Sequence, residues 1–149
     1  MNPATHTLVG MTIGKFSKAP LVALAAGAAS HAVLDCLPHQ DSWHPLWRLI
    51  DGTCTVVALT WALGSRDPER KIAGAIGALV PDIENIYGHK GVTEPKKIFP
   101  SHWFRHETRS AGYGAAVELL VVGITLAILS WPCDLTTSRV PRCHQDSSL

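Results

Sequence analysis

Charged residues are scarce in this chain. They make up 17% of its 149 residues, whereas about a quarter is usual in soluble globular proteins. The charges also nearly cancel, because the formal net charge is +1, so the strong basic bias of a nucleic-acid-binding protein is missing. Together with a hydrophobic fraction of 46%, this composition favours a membrane protein, and we expect no nucleic-acid partner.

Paired cysteines are also lacking. The four cysteines are Cys36, Cys54, Cys133 and Cys143, and no two of them form a CxxC pair, which argues against a structural zinc finger and against a disulfide framework. Cys36 and Cys54 lie in apolar runs, where a free cysteine behaves as a small hydrophobic residue. A bridge between Cys133 and Cys143 remains open.

The alternating pattern of β-strands is nearly absent from the sequence. Apolar runs separated by turn signals instead predict helices, and the predicted segments are 4–16, 21–37, 47–63, 71–87 and an apolar run over 113–131. A transmembrane helix needs about 20 mostly apolar residues. Segments 21–37, 48–64 and 113–131 have that length, and 71–87 is marginal.

These segments predict an all-α fold, a membrane-embedded helical bundle of about four to five helices. We expect a single domain over residues 1–131 and a polar, disordered tail over residues 132–149. A soluble bundle with very apolar helices is the alternative. The stretch KFSKAPLVALAAGAAS also imitates a signal peptide, although its basic region begins late and cleavage would remove His6.

Histidines and carboxylates converge when the helices are traced as antiparallel neighbours. Every histidine except His144 falls at one end of the predicted bundle, which we call the near end. The groups predicted there include His6, His31, Asp35, His39, Asp51, Asp82, His102, His106 and Glu107. The trace of the helices rests on hydropathy and turn signals and makes no use of the histidines. Their convergence at one end is therefore independent support for one polar site.

The spacing of these residues suits a metal site. His31 and Asp35 are four residues apart on one predicted helix, so they share a face, and His102 and His106 repeat that spacing. Helical bundles build metal sites from such pairs together with ligands from other helices. Imidazole and carboxylate ligands suit zinc, manganese or iron, and we expect a divalent metal, zinc first.

Four motifs together resemble a known family. THTLVG, SHAVLDCLPH, GALVPDIEN and HWFRH are similar to the motifs of small membrane-bound metal-dependent hydrolases predicted in bacteria, with a distant similarity to zinc-dependent phospholipase C, an all-α fold. The resemblance covers roughly residues 4–108. The metal ligands that it implies are His6, His31, Asp35 and Asp82, completed by His102 or His106. Glu84 stands where the family carries a second aspartate.

The expected function is therefore a membrane-bound metal-dependent hydrolase, integral to the bacterial cytoplasmic membrane. A metal-activated water would attack a phosphoester or an acyl carbonyl. Asp35 and Glu107 are the candidate general bases. The expected partners are membrane lipid and a lipid-type or phosphoester substrate, and nothing in the sequence indicates an oligomeric state.

Two other functions stay open. The protein could be a non-catalytic membrane protein whose His/Asp cluster is a structural network or a metal-stabilised scaffold, or a haem protein with axial histidines, for which the nearby carboxylates are unnecessary. Single residues have alternatives too. His39 could cap its helix or orient a metal ligand, and Asp82 could be a carboxylate at a helix N-terminus that interacts favourably with the helix dipole. Asp51 is a partner of the site or of Arg48, and Glu118 is expected to pair with another helix.

Overall fold

The computed structural model describes residues 1–38, 45–83 and 111–131. The described residues are helical, with no strand among them, which confirms the predicted all-α class. The elements are α1 (Pro3–Phe16), α2 (Pro20–Asp35), α3 (Pro45–Leu63), α4 (Pro68–Leu79), a 3₁₀ helix (Val80–Asp82) and α5 (Ala111–Ser130).

Prolines open four of the five α-helices that the structure describes. Pro3, Pro20, Pro45 and Pro68 are the first residues of α1 to α4, where the missing N–H costs nothing and the fixed φ angle favours the helix. Pro68 therefore starts α4 earlier than the predicted residue 71. Pro81 cannot donate to the preceding turn, and the chain tightens there into the 3₁₀ helix.

The first helix, α1, is the centre of the bundle. It contacts each of the other four α-helices, and α2 and α4 also contact one another extensively. Its buried residues Leu8 and Met11 belong to the main apolar core, together with Ala58, Ala62, Ala75 and Leu129. Residues of α1 therefore lie against each of the other described α-helices.

Glycines let α1, α2 and α4 approach backbone to backbone. A Cβ atom added to Gly74 of α4 would clash with the carbonyl oxygen of Gly10 in α1, and one added to Gly27 of α2 would clash with the carbonyl oxygen of Gly74. A Cβ on Gly77 would similarly meet the carbonyl of Leu24. Small residues at such crossings are typical of tightly packed membrane helices.

The helices α3 and α5 have a different character. Both contain a segment long and apolar enough to cross a membrane, Pro45–Leu63 and Gly112–Ser130. Only 11% and 17% of these segments are buried, whereas the core helix of a soluble protein is mostly buried. The 16 residues of α2 reach about 24 Å at 1.5 Å per residue, which is short of the roughly 30 Å hydrocarbon core.

Candidate metal centre

Two carboxylates from the apolar helices hold the N-terminus of α1. The backbone N–H of Ala4 donates to Oδ1 of Asp51 at 3.0 Å. Glu118 accepts from the N–H of Asn2 at 2.9 Å and from the hydroxyl of Thr5 at 3.1 Å. Negative charge at a helix N-terminus is favourable, and these bonds satisfy N–H groups that lack partners within the helix. Glu118 does pair with another helix, as predicted.

Four residues predicted from the sequence lie together at this end. His6 comes from α1, His31 and Asp35 from α2, and Asp82 from the 3₁₀ helix. Nε2 of His31 is 2.9 Å from Oδ2 of Asp35 and 3.8 Å from Oδ1 of Asp82, and Nε2 of His6 is 3.3 Å from Oδ1 of Asp35. One candidate ligand atom from each of His6, His31 and Asp82 lies within 4.8 Å of the other two.

The backbone of α4 fixes the orientation of His31. Nδ1–H of the ring donates to the carbonyl oxygen of Ala78 at 2.8 Å, which directs Nε2 toward the carboxylates. Metal-binding histidines usually donate their second ring nitrogen to a carbonyl or carboxylate in this way. Sequence reasoning missed this partner. No pattern of residues could have identified it, because every residue carries the same backbone carbonyl.

His6 is the most unusual member of the cluster. Its ring is fully buried and stacks on the ring of His31, with centroids 4.2 Å apart. Within the described residues neither ring nitrogen has a hydrogen-bond partner. Leaving a buried polar group unsatisfied costs about 1–3 kcal/mol, so such groups are rare and call for a partner such as an ion.

The electrostatics of the cluster favour a cation. Burial by itself would raise the pKa of Asp35, but the hydrogen bond from His31, the ring of His6 at 3.3 Å and the amino group of Met1 at 3.1 Å outweigh burial and hold this pKa well below its usual range. The approach of His6 to Asp35 lacks the alignment of a hydrogen bond. Burial lowers the pKa of His6, so its ring is neutral and keeps a lone pair. For His31 burial is outweighed by Asp35 and Asp82, and its pKa is raised.

The donor set of these four side chains fits a transition metal. Two imidazoles with two carboxylates suit zinc, iron or manganese. Around tetrahedral zinc with bonds of about 2.1 Å, the ligand atoms are about 3.4 Å apart. The atoms of His6, His31 and Asp82 lie within 4.8 Å of one another, so they would have to close by up to about 1.4 Å. Asp82 is partly exposed and its side chain has room to rotate, and the chemistry of the residues present fits the metal.

The remaining candidates lie outside the described residues. They are the metal-ligand candidates His39, His102 and His106 and the general-base candidate Glu107. Each stays a prediction. Of the two carboxylates proposed as a base from the sequence, only Asp35 can be placed, and it lies within the cluster, with its oxygens directed at the two histidines.

Comparison with known proteins adds no relative to this picture. No family model, no curated protein and no solved structure matches the chain. The function must therefore be inferred from the chemistry of the cluster itself.

Proposed function

We propose that this protein is a membrane-bound, metal-dependent hydrolase that holds a divalent transition metal, zinc first and manganese or iron otherwise, on His6, His31, Asp35 and Asp82. The observation that carries this proposal is the buried ring of His6, whose nitrogens have no hydrogen-bond partner in the described structure and lie beside carboxylates and a second imidazole. A purely structural network would be expected to satisfy these atoms. The resemblance of the sequence motifs to metal-dependent hydrolases supports the same reading.

The residues of the cluster have separable roles in this proposal. A bound zinc ion would supply Lewis acidity and would lower the pKa of water toward about 7. Asp35 lies against both histidines and would orient them, and its lowered pKa makes it a weak acceptor for a proton from water. The side chain of Asp82 is 23% exposed, against 7% for Asp35 and none for His31. Substrate would therefore reach the cluster from the side of Asp82.

The location of the cluster favours an amphiphilic substrate. Asp51 is the seventh residue of α3 and Glu118 the eighth of α5, and both contact the start of α1. At 1.5 Å per residue, α3 and α5 therefore extend about 10 Å past the cluster. The 19 residues of α3 reach about 28 Å, close to the hydrocarbon thickness of about 30 Å. If these helices span the bilayer, the cluster lies about 10 Å inside the hydrocarbon core, where a substrate would approach it from within the lipid. A lipid-type substrate therefore fits best.

The metal can be tested with one substitution that should spare the fold. The nitrogens of His6 make no hydrogen bond among the described residues. The substitution His6→Leu therefore removes the candidate ligand atoms and breaks no hydrogen bond that the structure describes. We expect about one zinc, manganese or iron per chain in detergent-purified protein by elemental mass spectrometry. His6→Leu should lose this metal and keep its helical circular dichroism. His144→Leu, which changes a histidine of the tail, should retain both.

Hydrolysis needs a second measurement on the same preparations. Metal-loaded protein should cleave phosphodiester or acyl-ester lipids, and a chelator should abolish the activity until metal is restored. Full metal content in His6→Leu would refute the metal centre. Stoichiometric metal without cleavage of either lipid class would refute the hydrolase and leave a metal-stabilised scaffold as the function.

A further inference from the structure

A second polar site lies at the far end of the bundle, opposite the metal cluster. There a cavity of about 310 Å³ opens where α3 and α5 end. Lys15, Arg66 and Lys71 line it. The described residues that line this cavity include no aspartate or glutamate.

Two of these cations are buried against the ends of helices. Nζ of Lys15 donates to the carbonyls of Ile128 at 2.7 Å and Trp131 at 2.6 Å, at the end of α5. Nζ of Lys71 donates to the hydroxyl of Ser65 at 2.9 Å and the carbonyl of Arg66 at 2.8 Å, just past α3. A helix C-terminus carries about half a negative charge. Lys15 faces such an end and Lys71 lies just past the other, and with Arg66 the described lining of the cavity carries three positive charges and no carboxylate.

Arg66 is placed to meet a ligand. It is exposed, and within the described parts of the chain no hydrogen bond or ion pair from its guanidinium group is seen. Guanidinium binds phosphate oxygens through two parallel hydrogen bonds. The two buried lysines then supply a fixed positive field behind that group.

Tryptophans flank the same cavity. Trp61 and Trp131 both line it, and they are 41% and 67% exposed. Tryptophan is enriched where membrane helices meet the headgroups, and both candidate membrane-spanning helices end here. The cavity therefore combines a positive interior with an interfacial rim.

We propose that this cavity binds the phosphate group of an anionic phospholipid. The cations would hold the phosphate, and the tryptophans would pack against the glycerol and the upper acyl chains. The inference rests on the proposed membrane location and is independent of the metal.

The full-length protein, purified in detergent, allows a direct test by native mass spectrometry. Phosphatidylglycerol and phosphatidylcholine would be titrated into wild type, Arg66→Gln and Lys18→Gln. Lys18 is an exposed cation of the same end that does not line this cavity. We expect phosphatidylglycerol to bind at least about tenfold more tightly than phosphatidylcholine, since only the former adds net negative charge. Arg66→Gln should remove most of this preference, and Lys18→Gln should retain it.

Three outcomes would overturn the proposal. The first is equal binding of phosphatidylglycerol and phosphatidylcholine to the wild type. The second is an equal loss of the preference for phosphatidylglycerol in Arg66→Gln and in Lys18→Gln. The third is displacement of the lipid by inorganic phosphate, which would assign the cavity to a soluble anion. Metal content measured on the same samples separates these failures from failure of the metal centre. Release of the protein from membranes by salt alone, without detergent, would instead refute the membrane location.

Discussion

The substitution Gly74→Ala tests whether backbone contact between α1 and α4 holds the site together. The added Cβ would clash with the carbonyl oxygen of Gly10 and lie 3.1 Å from the backbone nitrogen of Gly14. Backbone atoms cannot rotate away, so α1 and α4 would have to separate by roughly 1 Å to restore ordinary contact. Overpacking of this kind costs about 1–3 kcal/mol, while alanine in place of glycine returns up to about 1 kcal/mol of helix propensity.

The cost should lie at the upper end of the overpacking range, about 3 kcal/mol, because the clash is with backbone atoms. After the gain of up to about 1 kcal/mol in helix propensity is subtracted, the free energy of unfolding should fall by about 2 kcal/mol. For a chain of this size this corresponds to a drop in Tm of roughly 4–8 °C. The same separation should weaken the metal centre, because His6 precedes Gly10 by one turn of α1 and Asp82 follows α4 directly. Thermal unfolding in detergent and zinc titration measure the two effects.

Gly123→Ala in α5 is the matched control. No described atom lies within 4 Å of the Cβ that it would add, so stability should stay unchanged or rise by up to about 1 kcal/mol. Zinc affinity should not change. Equal stability and equal zinc affinity in the two variants would show that α1 and α4 do not cross as closely as described.

Four further substitutions probe contacts at the two ends of α1. Lys15→Met should lower stability by about 1–3 kcal/mol, because the last carbonyls of α5 lose their donor, and unchanged thermal unfolding in detergent would contradict that contact. Glu118→Gln keeps an acceptor for the N–H of Asn2 and should lower stability by less than about 1 kcal/mol, whereas Glu118→Ala should lower it by about 1–3 kcal/mol. Equal losses in the free energy of unfolding for the two variants would count against the contact. Asp35→Asn should reduce zinc affinity at least 10–100-fold, and an unaltered calorimetric titration would remove Asp35 from the centre.

Much of the fold could be predicted from the sequence because its signals are local. Apolar runs and turn residues predicted the helices, and proline at a first position marks the start of α1 to α4. The end of α4 was harder to predict. Pro81 was recognised as a break, but only the structure shows the chain continuing through a 3₁₀ helix that carries Asp82 to the cluster.

The convergence of His6, His31, Asp35 and Asp82 was predictable because antiparallel helices fix which ends meet. Their partners were not predictable to the same degree. The carbonyl of Ala78 holds His31, and a backbone group carries no mark in the sequence. The close crossing at Gly74 likewise depends on the three-dimensional register of two helices, which a GxxxG pattern in one helix cannot define.

The placement of polar and apolar groups on α3 and α5 bears on the choice between a membrane bundle and a soluble one. Asp51 and Glu118 face inward and bond the start of α1, while Val56 and Leu119 are 62% and 72% exposed with respect to the described residues. A soluble bundle would be expected to place its carboxylates in water and these apolar side chains in its core. Ionisable residues of membrane helices face the bundle interior and find partners there. The arrangement on α3 and α5 therefore supports the proposed membrane location, with the polar chemistry gathered around α1.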